Sequence, residues 1–266
     1  MSLPGFIHVP EGVAPWWFVT ALLLAAAIQG MAKSGFGGGI GILAVPLVAN
    51  VLPPGEAIGV LLPMLIVGDI FASYVHRRSV DWPTLRPVLG GSLLGILVGT
   101  GILIWLGTAD QLTAALNLLV GGICLLMVLV QAWRLAGKPL PRVRPTRRNG
   151  TLVGSAVGVA STLAHSAGPV AAIYFLEIKL DKAKLVATAA WLFFLVNLLK
   201  LPTYLGLGLI NPSTLLQSLW AAAGIPIGSV LGLWLHKRIP EKPFFAIVYF
   251  AAAVAAGRMI WKAIGV

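Results

Sequence analysis

A chain of 266 residues, 58% of them hydrophobic and only 10% charged, does not fit a soluble domain and fits a polytopic helical membrane protein. Its formal net charge of +11 invites a nucleic-acid partner, but the basic residues sit in short loops between apolar runs, where they act as topology determinants, so none is expected. The single cysteine, Cys124, lies inside an apolar run, which excludes an internal disulfide and makes it a buried, reduced thiol.

The leading stretch MSLPGFIHVPEGVAP has no positive n-region, so a cleaved signal peptide is not expected. Ten helical segments follow, at 16–32, 39–52, 56–75, 84–106, 111–133, 150–164, 168–178, 184–204, 213–235 and 242–262. They are separated by PPGE (53–56), VDWP (80–83), GTAD (107–110) and NPS (211–213), which are turn sequences. Between the first two segments runs KSGFGGGIGILAVP (33–46), with a lysine and five glycines. Each glycine inside a helix costs about 1 kcal/mol relative to alanine. A mid-bilayer lysine costs ~3 kcal/mol or more without compensation. A plain spanning helix is a poor use of this stretch.

Further along, His76, Arg77 and Arg78, the linker 134–148, Lys179, Lys182 and Lys184, and Lys237, Arg238 and Lys242 all fall on one side of an alternating topology. The intervening loops LPPGE, GTAD and LGLGLINPS contain no Lys or Arg. The positive-inside rule makes the basic side cytoplasmic and puts the N-terminus outside. The linker RLAGKPLPRVRPTRR has six basic residues, three prolines and no acid, and it divides the chain near its middle. Shifting the second half by 129 residues superposes Gly39 on Gly168, Pro83 on Pro212, Gly95 on Gly224, Gly99 on Gly228 and Trp105 on Trp234. The expected organisation is one transporter domain over 1–266: repeat one at 16–133, a basic cytoplasmic linker at 134–149 and repeat two at 150–262. Each half has five segments, an odd number, so the two halves sit with inverted topology, a transporter signature with its site where the halves meet at the midplane.

The first two segments of each half are short. About 14 residues give ~21 Å against a hydrocarbon core of ~30 Å. Full spans and re-entrant hairpins both fit, and hairpins would bring tips at 33–39 and 164–168 together near the bilayer centre. Non-helical backbone at that depth is tolerated where it lines a cavity or is buried in protein. The helix N-termini at Gly37–Ile40 and Ala167–Val170 have amides without intrahelical acceptors and suit an anion. The candidate substrate-binding residues are therefore Lys33, Ser34, Gly35, Gly37, Gly38, Gly39, His165, Ser166 and Gly168.

The elements GFGGGIGILAVPLV, AHSAGPVAAIYFL and LLPMLIVGDIFASYVHRRSVDW, with the basic central linker, resemble the TauE/SafE family, the sulfite exporter or toluene-sulfonate-uptake permease group, over about residues 17–262. The resemblance implies a substrate among sulfite, sulfonates, thiosulfate and related compounds. In half two HSAGP replaces a glycine run, so the two tips are expected to do unequal work.

Several residues carry two readings. Lys33 is a ligand or an interfacial lysine snorkelling to the cytoplasmic face. His165 caps the next helix or satisfies a backbone carbonyl, or it touches substrate or a proton. Asp69 forms a structural ion pair, for which Lys33 is a candidate partner, or it serves in proton coupling, a role for which His165 is the other candidate. Lys200 and Arg258 are read as snorkelling to the outer interface, and Asn197, Asn117 and Gln217 as interhelical hydrogen-bonding residues. Trp16, Trp17, Trp82, Trp105 and Trp261 read as an aromatic belt, and the Gly95/Gly99 and Gly224/Gly228 pairs as close helix contacts. No catalytic motif, metal-ligand spacing or phosphate loop is present, so the expectation is a non-enzymatic secondary carrier without cofactor in a bacterial inner membrane. Its expected partners are a small sulfur-containing anion and the lipid bilayer, with a homodimer left open. The competing readings are a non-transporting membrane subunit and an integral-membrane enzyme acting on a lipid or thiol.

Overall fold

A computed structural model describes residues 9–34, 39–106, 109–138, 144–178, 180–238 and 241–265. In hydrocarbon every backbone N–H and C=O needs an internal partner, and the apolar runs meet that demand as helices. In chain order these are α1 (Pro15–Ser34), a 3₁₀ turn (Gly39–Leu43), α2 (Ala44–Val48), α3 (Pro54–Val75), α4 (Trp82–Trp105), α5 (Ala109–Leu135), α6 (Arg147–Ala164), α7 (Ala167–Glu177), α8 (Lys182–Gly206), α9 (Pro212–Ala221), α10 (Gly224–Arg238) and α11 (Glu241–Ile264). There is no strand among the described residues. Among the described residues, seven stretches are long and apolar enough to cross a membrane: 15–33, 54–74, 82–105, 114–134, 183–206, 212–235 and 246–264. The chain is an all-α, multi-pass membrane protein.

The turn sequences start helices by ordinary chemistry. Proline opens α3, α4 and α9 in the first turn, where its missing N–H costs nothing. Asp81, Asp181 and Asn211 accept from Thr84 N, Lys184 N and Thr214 N at 3.1, 2.9 and 3.0 Å, so each satisfies an otherwise orphaned amide.

Two segments differ from the sequence reading. The expected helix 39–52 is a 3₁₀ turn followed by a five-residue α2, because glycines at 39 and 41 weaken the helix and Pro46 withholds an N–H. The expected helix 213–235 breaks at 222–223. Pro226 cannot donate to Ala222 O, which accepts instead from Ile225 N at 2.9 Å in a tighter turn.

The main packing pairs are α4 with α6, α1 with α10, α5 with α11, and α3 with both α8 and α9. Shifted by 129 residues, α1 falls on α6, α3 on α8, α4 on α9 and α10, and α5 on α11. The α4–α6 contact then exchanges with α1–α10 and the α3–α9 contact with α4–α8, while α3–α8 and α5–α11 map onto themselves. Glycine makes the two tightest crossings possible. A Cβ on Gly95 would lie 2.0 Å from Ser155 O, and one on Gly228 1.9 Å from Ala27 O. The small-residue pairs read from the sequence do permit backbone-to-backbone contact. Helix α3 is the hub, touching α1, α2, α5, α8 and α9.

Candidate functional site

The centre of the molecule is built from the hub outward. Asp69, in the second half of α3, is buried at 2% exposure. Its Oδ1 pairs with Lys33 Nζ from the last turn of α1, and its Oδ2 accepts from Asn197 Nδ2 of α8 at 2.6 Å. Lys33 Nζ also donates to Leu65 O at 2.8 Å. Gly68 is what lets the lysine lie across α3, since a Cβ there would stand 2.9 Å from Lys33 Cδ. The structural ion pair between Lys33 and Asp69 is therefore present. The snorkelling reading of Lys33 is not: its ammonium turns into the protein because a buried carboxylate and a carbonyl replace the water it would otherwise seek.

A second cluster forms at the α6–α7 turn. His165 caps α6 with φ of 48°, the left-handed region that a β-carbon disfavours. Its Nε2 donates to Ile58 O of α3 at 2.9 Å, so Nδ1 is the acceptor for Lys200 Nζ, also at 2.9 Å. These bonds assign a neutral imidazole. Lys200 donates in addition to Ser161 O at 3.1 Å and lies 5.7 Å from the centre of the Tyr204 ring, within cation–π range. The Tyr204 hydroxyl donates to Thr162 O at 2.6 Å. Thr162 Oγ1 is buried with no hydrogen-bond partner among the described residues.

Pro63 lies inside α3, close to the carbonyls that bond these side chains. Inside a helix a proline removes one N–H and crowds the carbonyl four residues back, which loosens that turn. On either side of the freed Gly59 carbonyl, Ile58 O accepts from His165 and Val60 O accepts from Ser218 Oγ at 2.6 Å.

The other sequence candidates divide. Ser166 Oγ donates to Ala164 O at 3.0 Å and lies 3.8 Å from Cys124 Sγ, so it does not cap α7. Gly168 is in the first turn of α7, Ser34 ends α1 and Gly39 begins the 3₁₀ turn. Gly35, Gly37 and Gly38 lie outside the described residues. His165 bonds to Lys200. Asn197 does bond between helices, whereas Asn117 Oδ1 is buried without a partner among the described residues. Gln217 Nε2 reaches Ser213 Oγ of its own helix at 3.5 Å. Arg258 is exposed, in keeping with snorkelling, and Trp16, Trp105 and Trp261 are 71%, 83% and 79% exposed, as a belt requires.

Lys200 overturns its sequence reading. It is 0% exposed, held by Ser161 O and His165, and reaches no interface. The sequence did carry a signal. Lys200 stands toward the end of α8 whose loops contain no Lys or Arg, so as a surface residue it would break the charge rule that every other loop obeys.

The family model described as sulfite exporter TauE/SafE matches residues 22–259. The chain belongs to the TauE/SafE family. No curated protein and no solved structure matches it. Within this TauE/SafE chain the buried charges come from both halves: Lys33 and Asp69 from the first, Lys200 from the second. Helix α8 links them, since Asn197 bonds to Asp69 and Lys200, three residues on, bonds to His165. Among the described residues no group of His, Cys, Asp and Glu could hold a metal ion.

Proposed function

We propose that this TauE/SafE member is a secondary transporter that carries a small sulfur-containing anion of the sulfite, sulfonate or thiosulfate class across a bacterial inner membrane by alternating access. The observation that carries this reading is a pair of inward-turned lysines, one from each half, Lys200 fully buried and Lys33 partly so, beside a single buried carboxylate. An ionisable side chain in the interior of a membrane protein defaults to function, because its burial is too costly to keep otherwise. Lys33, Ser34, the glycine tip 35–39, and His165, Ser166 and Gly168 form the binding region in this proposal, and Lys200 joins them. The amides that open α7 add partial positive charge beside His165.

The inverted-repeat reading supports a position for that region at mid-membrane. Position 197 is the 129-residue counterpart of position 68, one residue from Asp69. Elements related by a two-fold axis touch at equivalent positions only on the axis, and the axis of inverted repeats lies in the membrane plane. The Asp69–Asn197 bond then marks the midplane, where α3 and α8 move against each other as access alternates. With a cytoplasmic basic linker the N-terminus is outside. Export of an anion is electrically downhill by ~2.3 kcal/mol per charge per 100 mV. Uptake needs a coupled cation, for which Asp69 and His165 are the candidates.

The test is thermal unfolding of the purified protein in detergent with sulfite, thiosulfate, sulfoacetate, sulfate and chloride at matched ionic strength, followed by flux in proteoliposomes. A ligand at about 100 times its Kd adds ~2.7 kcal/mol. Selective stabilisation by a sulfur anion, with flux of the same anion, supports the transporter. Stabilisation without flux favours a non-transporting subunit, and a flat panel on folded protein removes the anion site.

A further inference from the structure

We infer that Asp69 sets the charge of the transported species, holding the central site at one net positive charge so that it accepts singly charged sulfur oxyanions and rejects doubly charged ones. This rests on the transporter reading above and names the substrate class within it.

The argument is a count of buried charge. Of the eight acidic residues, seven lie in loops or in the first or last turn of a helix, and Asp69 alone stands in a helix interior. Both of its oxygens are taken, one by Lys33 and the other by Asn197. Lys200 is as deeply buried as any residue in the protein, yet its described partners are a backbone carbonyl and the Nδ1 of His165, both neutral. His165 cannot add or cancel charge in this arrangement, because Nε2 spends its proton on Ile58 O and Nδ1 needs its lone pair for Lys200. Arg86 and Arg258, which also lie within helices, are exposed and do not enter the count.

Two ammonium groups and one carboxylate leave one positive charge. A buried charge without a counter-ion is the costly case. One anionic charge cancels it, and a second would leave the occupied site as unbalanced as the empty one. Each ammonium also keeps a donor for the ligand. Lys200 uses two of its three N–H groups on Ser161 O and His165, and Lys33 uses two on Asp69 and Leu65 O. The fitting ligand is a small oxyanion that bridges two lysines with a total charge of minus one, such as hydrogen sulfite or a short alkanesulfonate. Sulfate and thiosulfate carry one charge too many.

The experiment measures Kd for methanesulfonate, sulfate and thiosulfate on the full-length protein in detergent, by ligand-dependent thermal unfolding at constant ionic strength. The wild type is compared with Asp69→Asn, Lys33→Met/Asp69→Asn and Lys200→Met, whose buried charges are one, two, one and zero. The expected wild-type preference for methanesulfonate is at least about tenfold. Asp69→Asn should lose that preference or reverse it, the double variant should regain it, and Lys200→Met should bind none of the three. If Asp69→Asn does not fold, the double variant and Lys200→Met still separate charge count from the identity of any one lysine. A wild type that binds sulfate or thiosulfate as tightly as methanesulfonate, or a double variant without the preference, overturns the inference and leaves the transporter reading standing. A folded wild type that binds none of them takes both down.

Discussion

Asn197 and Lys200 stand one helical turn apart on α8, the first bonded to Asp69 of α3 and the second to His165 at the α6–α7 turn. One turn of one helix thus joins the ion pair of the first half to the capped turn of the second. A slide of α8 along α3 by about one turn, ~5.4 Å, would bring the Lys200 ammonium to the carboxylate that Asn197 now holds.

Lys200→Met is expected to separate stability from binding. Methionine has nearly the same length, and it removes a buried charge that has no acidic partner, which offsets the loss of the bonds to Ser161 O and His165 Nδ1. Thermal unfolding without ligand should shift by less than about 1.5 kcal/mol. Stabilisation by anions should vanish. A variant that unfolds readily but still responds to anions would make Lys200 a structural residue.

Asp69→Ala should behave in the opposite way. It strands Lys33 next to Leu65 O with no counter-charge, a loss of about 3–5 kcal/mol. Most of that should return in Lys33→Met/Asp69→Ala, because the penalty belongs to the orphaned partner and not to the missing bond. A thermodynamic cycle over the four proteins measures it, and additive losses would mean that the pair is not coupled.

At Gly95, alanine should destabilise the fold by about 1–3 kcal/mol, since its Cβ would meet Ser155 O at 2.0 Å and force α4 away from α6. Gly228→Ala should do the same to α10 against α1, where Ala27 O stands at 1.9 Å. Gly101→Ala is the control. Nothing lies within 4 Å of that position, so the gain in helix propensity, up to about 1 kcal/mol, should show undiluted. Unfolding temperatures in one detergent decide all three.

His165 reverses the usual order of glycine and alanine. At φ of 48° a Cβ is strained and glycine is not. His165→Ala and His165→Gly both lose the bonds to Ile58 O and Lys200, but the glycine variant should be more stable than the alanine variant by about 1 kcal/mol. The same order would not appear if the turn relaxed into a helical conformation, which makes the comparison a test of the turn itself.

Segment positions were legible because hydrocarbon leaves the backbone few choices, and all ten predicted segments correspond to described helical elements, two of them divided: 39–52 into a 3₁₀ turn and α2, and 213–235 into α9 and α10. What was hidden depended on side chains meeting across the fold. Asp69 and Lys33 could be paired on paper, since each needed an opposite charge. Lys200 could not, because its partners are a backbone carbonyl and a histidine 35 residues away, and no spacing in the chain announces them. Likewise the break between α9 and α10 turns on Pro226, whereas Pro87 leaves α4 continuous. The same residue type gives two outcomes, decided by where in the helix its missing N–H falls.

Topology is the prediction on which the placement of the site at mid-membrane depends. Glu56 and Arg144 are both exposed, at the start of α3 and just before α6, and the charge rule puts them on opposite faces. The one native thiol, Cys124, is fully buried and should stay silent toward a polar maleimide. Single cysteines at the two positions, in a Cys124→Ala background, should then label differently in intact cells. Glu56→Cys should react with an impermeant maleimide, and Arg144→Cys only after the membrane is opened. Because five segments separate equivalent positions in the two halves, the counterpart of Glu56, Leu185, should follow Arg144 and not Glu56 when it is replaced by cysteine. Labelling of both Glu56→Cys and Leu185→Cys from outside would make the repeats parallel, and the Asp69–Asn197 contact would then no longer mark the midplane.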